Sequence, residues 1–119
     1  MRTRKTTVSF VHPSEEAFAR LLDYYKIRWE YEPHTFVLRT DEDGNPKECF
    51  TPDFYLPDYN LYVELTVRRA NLNRRKRRKI ALLRALRPDI AIKLMSPRDF
   101  EKLMVKYGVE RTPRPSSED

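Results

Sequence analysis

The first clear pattern of apolar and polar positions along the chain is helical. Apolar side chains at Phe18, Leu22 and Tyr25 recur at the spacing of one helix face. Ser14 stands before two glutamates. This suits a helix start, because a side-chain oxygen there caps free N–H groups and acids oppose the helix dipole. The pattern therefore predicts a helix over residues 14–26.

The next part of the chain is rich in aromatic and branched residues and predicts strands. Residues 40–46 read Thr-Asp-Glu-Asp-Gly-Asn-Pro, a run dense in turn-forming residues, and predict that the chain reverses there as a hairpin. We expect its two strands at 27–38, broken near Pro33, and at 48–56. A third strand is expected over 61–67, where apolar residues alternate along the chain.

The second half of the chain predicts two helices with a strand between them. Asn71 is suited to cap a long helix over 72–86, and residues 90–95 alternate in the manner of a strand. Ser96, followed by a proline, begins a last helix that ends at Gly108. The element order is αβββαβα. It predicts a fold of the broad α/β class with an α+β arrangement, in which helices flank one mixed sheet.

Length and composition limit the organisation of the chain. At 119 residues it is long enough for one hydrophobic core and too short for two. We assign residues 1–108 to a single domain and 109–119, which is rich in proline and serine, to a loose tail. A lone cysteine, Cys49, excludes a disulfide framework. No run approaches the ~18 apolar residues of a membrane span, and no apolar run follows the basic start, so a cytoplasmic protein without membrane contact is expected.

Basic residues dominate one segment of the chain. The net charge is +6 and the pI about 9.6, and eight of the twelve residues from Arg68 to Lys79 are basic. Such density favours a phosphate backbone as partner, with DNA as the expected nucleic acid. The alternative is a solvated helix face, but such faces usually interleave acids at i,i+4 spacing, and this segment has none. The predicted nucleic-acid contacts are Arg68, Arg69, Arg74, Arg75, Arg77 and Arg78.

Two acidic residues occupy strand positions among apolar neighbours. Asp53 lies in the run Thr-Pro-Asp-Phe-Tyr-Leu-Pro and Glu64 in Leu-Tyr-Val-Glu-Leu-Thr, with a short turn between the two predicted strands. Adjacent antiparallel strands bring such side chains to one face and one edge of a sheet. Their desolvation is costly unless a cation lies between them, and hard oxygen ligands select Mg²⁺ or Mn²⁺. The pair therefore predicts a divalent-metal site, the alternative being two exposed acids on a solvated sheet face.

The combination of these features resembles the PD-(D/E)XK nuclease superfamily. A helix with an early Glu, a hairpin, Pro-Asp in a strand and Glu in the next strand follow one another over about residues 14–95. The resemblance implies a restriction-endonuclease-like αβββαβ core, here with an added C-terminal helix, and metal-dependent hydrolysis of phosphodiester bonds. It assigns Asp53 to the family Asp and Glu64 to the family Glu. Glu15 matches the helix Glu better than Glu16 does, because it shares a helix face with apolar residues.

The chain departs from the family pattern at Thr66. The family usually has a lysine two residues after the Glu, which stabilises charge during phosphoryl transfer. The resemblance implies that the following helix packs near the active edge and that the catalytic lysine can migrate onto it. Lys76 and Lys79 fall within the apolar stripe of that helix, and the pattern alone does not separate them. The alternative is that their stems merely snorkel toward water.

Three functions remain open on the sequence. The first is a metal-dependent endonuclease built on Asp53, Glu64, Glu15 and one of the two lysines, acting as a homodimer because one small domain covers little of a duplex. The second is a catalytically degenerate nucleic-acid-binding module that keeps the fold without the motif lysine. The third is a regulatory or scaffold domain within a larger complex.

Overall fold

Five strands separate the first two helices of the chain in the computed structural model, which describes residues 8–106. Three helices and six strands are formed within this range. They are α1 (Pro13–Tyr24), β1 (Glu30–Tyr31), β2 (Phe36–Thr40), β3 (Pro46–Phe50), β4 (Phe54–Leu56), β5 (Leu61–Leu65), α2 (Ala70–Leu86), β6 (Ala91–Met95) and α3 (Pro97–Lys106). None of the described helices is long and apolar enough to cross a membrane.

The strands form a four-stranded mixed sheet and a separate two-stranded ribbon. The sheet has the order β1-β4-β5-β6, in which the first three strands are antiparallel and β5 and β6 run parallel. A parallel pair requires a crossover connection, and α2 provides it. The ribbon consists of β2 and β3. The prediction of a compact mixed α/β protein is therefore confirmed.

Both strands of the predicted hairpin bend midway, which divides the hairpin between sheet and ribbon. In the sheet β1 pairs with β4, and in the ribbon β2 pairs with β3. The break predicted near Pro33 in the strand at 27–38 is therefore confirmed, whereas the prediction of one unbroken strand at 48–56 is wrong, because β3 and β4 are separate strands. Glu32 has a φ of 47° and is followed by Pro33, which has no N–H for a ladder, and Pro52 interrupts the opposite strand.

Two of the predicted helix starts are displaced. α1 follows His12 and has Pro13 at its first position, so Ser14 is not the cap. Proline suits that position because its φ is preset and its missing N–H would have no partner there. α2 follows Arg69, so the predicted cap Asn71 lies within the first turn of the helix instead.

The last helix begins as predicted. Ser96 and Asp99 cap it reciprocally: the Ser96 Oγ accepts the N–H of Asp99 at 3.0 Å, and the Asp99 Oδ2 accepts the N–H of Ser96 at 3.1 Å. The predicted end of this helix at Gly108 and the predicted tail at 109–119 lie outside the described residues.

Apolar side chains cover both faces of the sheet. On one face α1 and α3 pack over the strands, and on the other α2 and the ribbon do so. The first layer is centred on Phe54, which is wholly buried, with its ring 5.0 Å from that of Phe18 and 5.6 Å from that of Trp29. In the second layer Ile80 and Leu83 of α2 are buried. Sheet, ribbon and α2 therefore meet on this second face.

We expect Phe54→Ala to lower the free energy of unfolding by about 3–5 kcal/mol, because it empties the centre of the aromatic layer. Unfolding in urea, followed by circular dichroism, measures this loss. Tyr59→Ala is the matched control, since it removes a ring that is 57% exposed in the turn between β4 and β5. Its effect should stay within about 0.5 kcal/mol. Equal losses in the two variants would contradict a core centred on Phe54.

Candidate active site

Asp53 and Glu64 face each other where β4 and β5 pair. The register sets Phe54 opposite Val63, so Asp53, which precedes β4, lies beside Glu64. The Asp53 Oδ2 accepts the N–H of Leu65 at 2.9 Å, and the Glu64 Oε1 accepts the N–H of Asp53 at 3.0 Å. Both acids are buried, with exposed fractions of 8% and 5%. Each of the two predicted acids therefore binds the backbone of the other's strand.

A lysine from α2 enters this acidic region. Lys76 Nζ lies 2.9 Å from the Oε2 of Glu64 and donates to the carbonyl oxygen of Leu65 at 2.6 Å. Lys79 reaches the ribbon instead, where its Nζ donates to the carbonyl oxygen of Cys49 at 3.2 Å. The structure thus separates the two predicted lysines, because Lys76 meets the acids whereas Lys79 joins the helix to the ribbon.

Glu15 reaches the same region from α1. Its Oε1 accepts the phenolic O–H of Tyr31 at 2.7 Å and the N–H groups of Val11 and His12 at 2.9 and 3.3 Å. Glu16 is exposed and pairs with an arginine one turn further along the helix. Of the two glutamates, Glu15 is therefore the one that α1 brings to the site.

A fourth acid at the site, Glu32, is not among the predicted residues. Carboxylate oxygens of Glu15, Glu32 and Asp53 all lie within 4.8 Å of one another. The N–H of Glu32 donates to the carbonyl oxygen of Asp53 at 2.8 Å, which continues the pairing of β1 with β4 past the end of the strand. The feature that distinguishes Glu32 in the sequence is its position directly before Pro33. This feature identifies Glu32 as a residue of the site only once the register of β1 on β4 is known.

These residues line one open cleft of about 470 Å³, which we call the acidic cleft. All five residues predicted for catalysis are part of its lining. The cleft lies between α2, the end of the ribbon and the start of α1. Its chemical groups come from the acids Glu15, Glu32, Asp53 and Glu64, from Arg75, Lys76 and Lys79 on one flank of α2, and from Cys49, Phe50 and Thr51 beside the ribbon.

Thr66, the position of the family lysine, lines a different pocket. Its neighbours there include Arg77 and Arg84, which occupy the opposite flank of α2 from Lys76. β5 has ended before this residue, and the N–H of Thr66 donates to the carbonyl oxygen of Met95 on β6 at 3.0 Å. A longer side chain at position 66 would therefore start on the wrong flank of α2 to reach the acids.

The burial of several carboxylates around one ammonium changes their protonation. Burial, followed by the charge of Glu64, raises the pKa of Asp53 to about 7. Burial also raises the pKa of Glu64, although the Lys76 ammonium opposes this shift. Burial and the hydrogen bond to Glu15 raise the pKa of Tyr31, which keeps its phenol a donor. The acidic cleft therefore favours a proton on Asp53 near neutral pH.

The donor set of the acidic cleft fits a divalent cation. With metal–oxygen bonds of about 2.1 Å, the ligand oxygens of an octahedral Mg²⁺ lie roughly 3–4.2 Å apart. The three carboxylate oxygens within 4.8 Å of one another approach this spacing. A cation would also replace the proton that burial favours on Asp53 and offset the repulsion between the acids. This group shares Asp53 and Glu15 with the predicted site, whereas Glu64 is engaged by Lys76.

The six predicted phosphate-binding arginines are exposed, but the four that α2 carries do not share one face of the helix. Arg75 lines the acidic cleft, whereas Arg77 lines the pocket on the opposite flank. Arg78 pairs with Glu48 of the ribbon, an acid that lies outside the basic segment of the sequence. Over residues 8–106, no ion pair within 4.0 Å is formed by Arg68, Arg69 or Arg74.

Comparison of the chain with protein-family models, curated proteins and solved structures finds no match. The function of the protein therefore has to be inferred from the acidic cleft, the lysine within it and the basic helix that borders it.

In the absence of divalent ions, we expect Asp53→Asn to melt above the parent protein at neutral pH, with a difference that shrinks toward pH 4. Folded Asp53 keeps its proton up to a pKa of about 7, whereas an unfolded Asp loses it near about 4. The folded state thus binds more protons in this interval, and its stability falls as the pH rises through it. Asn carries no charge and keeps an acceptor for the N–H of Leu65.

Thermal unfolding in EDTA across this pH range measures the difference between the two proteins. Asp43→Asn is the control, because Asp43 is exposed at the tip of the hairpin. A melting difference that is the same at pH 4 and pH 7 would show that the pKa of Asp53 is not raised.

Proposed function

We propose that this chain is a metal-dependent nuclease of the PD-(D/E)XK type, which hydrolyses phosphodiester bonds of nucleic acid and has DNA as its substrate. The observation that carries the proposal is the 2.9 Å contact of Lys76 with Glu64, beside Asp53. It brings two motif acids and a lysine together in one open cleft. The lysine comes from a different element than the one that bears it in the family motif.

The order of the elements supports the proposal. α1, the bent hairpin, β5, α2 and β6 follow one another as in a restriction-endonuclease-like αβββαβ core, and α3 is the added helix. Asp53 stands directly before β4, Glu64 lies within β5, and Glu15 lies in the first turn of α1. Glu15 and Glu64 occupy the places that the resemblance assigns to them, whereas Asp53 stands just before the strand in which it was predicted to lie.

The acids would hold a divalent ion, Mg²⁺ or Mn²⁺. Asp53 belongs to both candidate ligand sets: the predicted pair with Glu64, and the group with Glu15 and Glu32. Binding of an ion therefore depends on Asp53 in either case. The chemistry that such an ion supplies when bound is polarisation of a phosphoryl oxygen and a lower pKa of the attacking water.

Lys76 takes the role of the missing motif lysine. Its stem is packed, with 23% of the side chain exposed, and its ammonium lies next to Glu64. A positive charge held at this point stabilises the negative charge that develops on the phosphoryl oxygens. Thr66 lies on the other flank of α2 and has no charge to contribute.

The rim of the acidic cleft suits a phosphate backbone. Arg75 and Lys79 line it beside the acids, and Arg68, Arg69 and Arg74 are exposed near the start of the same helix. A net charge of +6 attracts a polyanion at long range, and phosphate contacts bind by counterion release without reading base sequence. A homodimer, expected because one small domain covers little of a duplex, remains a prediction.

A catalytically degenerate nucleic-acid-binding module is the second candidate, and one observation favours it. The ammonium of Lys76 already has two acceptors, Glu64 and the carbonyl oxygen of Leu65. A buried ion pair of this kind can serve the fold alone, since removal of one partner leaves an uncompensated charge. A cleavage assay distinguishes the two candidates. Only the nuclease would cut nucleic acid, and only in the nuclease would this activity depend on Lys76 and Asp53.

We expect Asp53→Asn to abolish Mg²⁺- or Mn²⁺-dependent cleavage of DNA, while binding of DNA in EDTA persists. Removing a residue that only hydrogen-bonds to a metal ligand costs about 10–100-fold in activity or metal affinity. The loss of activity in Asp53→Asn should be larger, because Asp53 would contact the ion itself. Mn²⁺ should raise the melting temperature of the parent but not of Asp53→Asn, because a ligand that binds the folded state stabilises it by mass action.

Gel assays of cleavage and thermal unfolding with Mn²⁺ measure these effects, with Asp43→Asn as the matched control. A variant that cuts as fast as the parent would show that the site is wrong. A parent protein that binds DNA and Mn²⁺ but never cuts would establish the degenerate binding module instead.

We expect Lys76→Met to reduce cleavage by about 100-fold or more, the scale of losing one group that stabilises transition-state charge. Methionine keeps the packing of the stem and deletes the ammonium. Lys79→Met is the matched comparison and should lose far less activity, because Lys79 lies at the rim of the acidic cleft and contacts the ribbon rather than the acids. Steady-state cleavage rates are compared at a temperature where circular dichroism shows both variants folded.

Thr66→Lys, added to Lys76→Met, should not restore cleavage, because position 66 lies on the opposite flank of α2. Rescue by that substitution, or equal losses in the Lys76 and Lys79 variants, would contradict the assignment of Lys76.

A further inference from the structure

A second pocket lies on the flank of α2 that faces away from the acids, and we call it the cationic pocket. It has a volume of about 530 Å³ and lies between α2, β6 and the start of α3. Arg77 and Arg84 reach it from α2, Lys93 from β6 and Asp99 from α3, with Thr66 just beyond the end of β5. Three cations and one acid give the cationic pocket a positive balance of charge.

Over the described residues, the acid of this pocket forms no ion pair within 4.0 Å with the pocket's cations. Asp99 is engaged in capping α3, where its Oδ2 accepts the N–H of Ser96 at 3.1 Å. Over residues 8–106, Arg77 and Lys93 form no ion pair within 4.0 Å. Two long cationic side chains therefore line one pocket without an ion-pair partner in the described part of the chain.

The polar groups of the cationic pocket are suited to phosphate. A guanidinium, an ammonium and a hydroxyl, from Arg77, Lys93 and Thr66, are donors that bind phosphate oxygens in nucleic-acid complexes. Arg84 has a different task, since it donates to the carbonyl oxygen of Ile92 at 2.7 Å and ties α2 to β6. An anion of the phosphate class is therefore the ligand that this pocket fits.

Helix α2 separates the cationic pocket from the acidic cleft. Arg77 lines the cationic pocket, and Lys79, about 160° away around the helix, lines the acidic cleft. A helix with its side chains is about 10–12 Å across, and the major groove of B-DNA is about 12 Å wide. A helix that lies in this groove has the backbone of one strand on each of its flanks.

We propose that the cationic pocket binds a phosphate of the uncut strand of a DNA duplex, while the acidic cleft holds the strand that is cut. The inference rests on the proposed function, because the acidic cleft defines which strand is cut. It makes a duplex, rather than a single strand, the ligand that engages both flanks of α2. It also assigns a role to Thr66, because its short hydroxyl side chain can donate to a phosphate and would not reach the acids of the acidic cleft.

The test is the affinity of the Arg77→Gln/Lys93→Gln double variant for a short DNA duplex and for one of its strands. Binding is measured by fluorescence anisotropy in EDTA over a series of salt concentrations, so no cleavage is needed. Arg20→Gln/Lys47→Gln removes the same charge from exposed positions on α1 and the ribbon and is the control. Lys93→Gln is measured alone as a second variant, because it changes a single exposed side chain.

We expect the double variant to bind the duplex about tenfold or more weakly, the change that corresponds to losing one charged hydrogen bond. Its salt slope should fall by about 0.9, the change for one phosphate contact removed, and Lys93→Gln alone should lower the slope by less than this. Affinity for the single strand should match that of the control variant.

The inference is overturned if the double variant binds the duplex as the control does, or if it loses affinity for duplex and single strand equally. Its failure differs from failure of the proposed function. A parent that does not cut but shows the duplex-specific loss would refute the nuclease and keep the cationic pocket. A parent that cuts DNA while the double variant binds duplex normally would refute the cationic pocket alone.

Discussion

The burial of two carboxylates where β4 and β5 pair, with a single ammonium beside them, is the interaction on which the rest of the site depends. Asp53 and Glu64 each accept a backbone N–H from the opposite strand, so they are part of the hydrogen bonding of the sheet. Lys76 offsets part of their charge, and its ion pair with Glu64 holds the ammonium over the end of β5. Burial, followed by the charge of Glu64, raises the pKa of Asp53, and the uncompensated acids make the acidic cleft a receptor for a cation.

The bend in the hairpin gives this charge cluster its shape. Beyond Tyr31 on one strand and before Phe54 on the other, the two strands leave the sheet, and the backbone at the bend carries Glu32 and Asp53 side by side. The ribbon that continues from the bend packs against α2 and forms one side of the acidic cleft. A continuous hairpin would have kept the ribbon in the plane of the sheet and left no cleft beside the acids.

Helix α2 connects the two halves of this arrangement. Its apolar residues Ile80 and Leu83 hold it on the sheet, and its basic residues project on both sides of that contact. Because successive helix positions differ by about 100°, neighbouring residues such as Lys76 and Arg77 serve different surfaces. One basic segment of sequence thus supplies a cation to the acids, a rim for a polyanion and the wall of a second pocket.

The amino-acid sequence by itself determined the number and order of the helices, the mixed sheet and the identity of Asp53 and Glu64 as unusual acids, because periodicity and turn chemistry are local properties. It also favoured Glu15 over Glu16, since one helix face sufficed for that choice. The tertiary structure decided what depends on partners distant in the chain. Lys76 was separated from Lys79 by the position of α2 over β5, and Glu32 joined the site through the register of β1 on β4. The split of the second hairpin strand was likewise decided by the tertiary structure, because the pattern over 48–56 predicts one strand and it is α2 that gives the ribbon a second surface to cover.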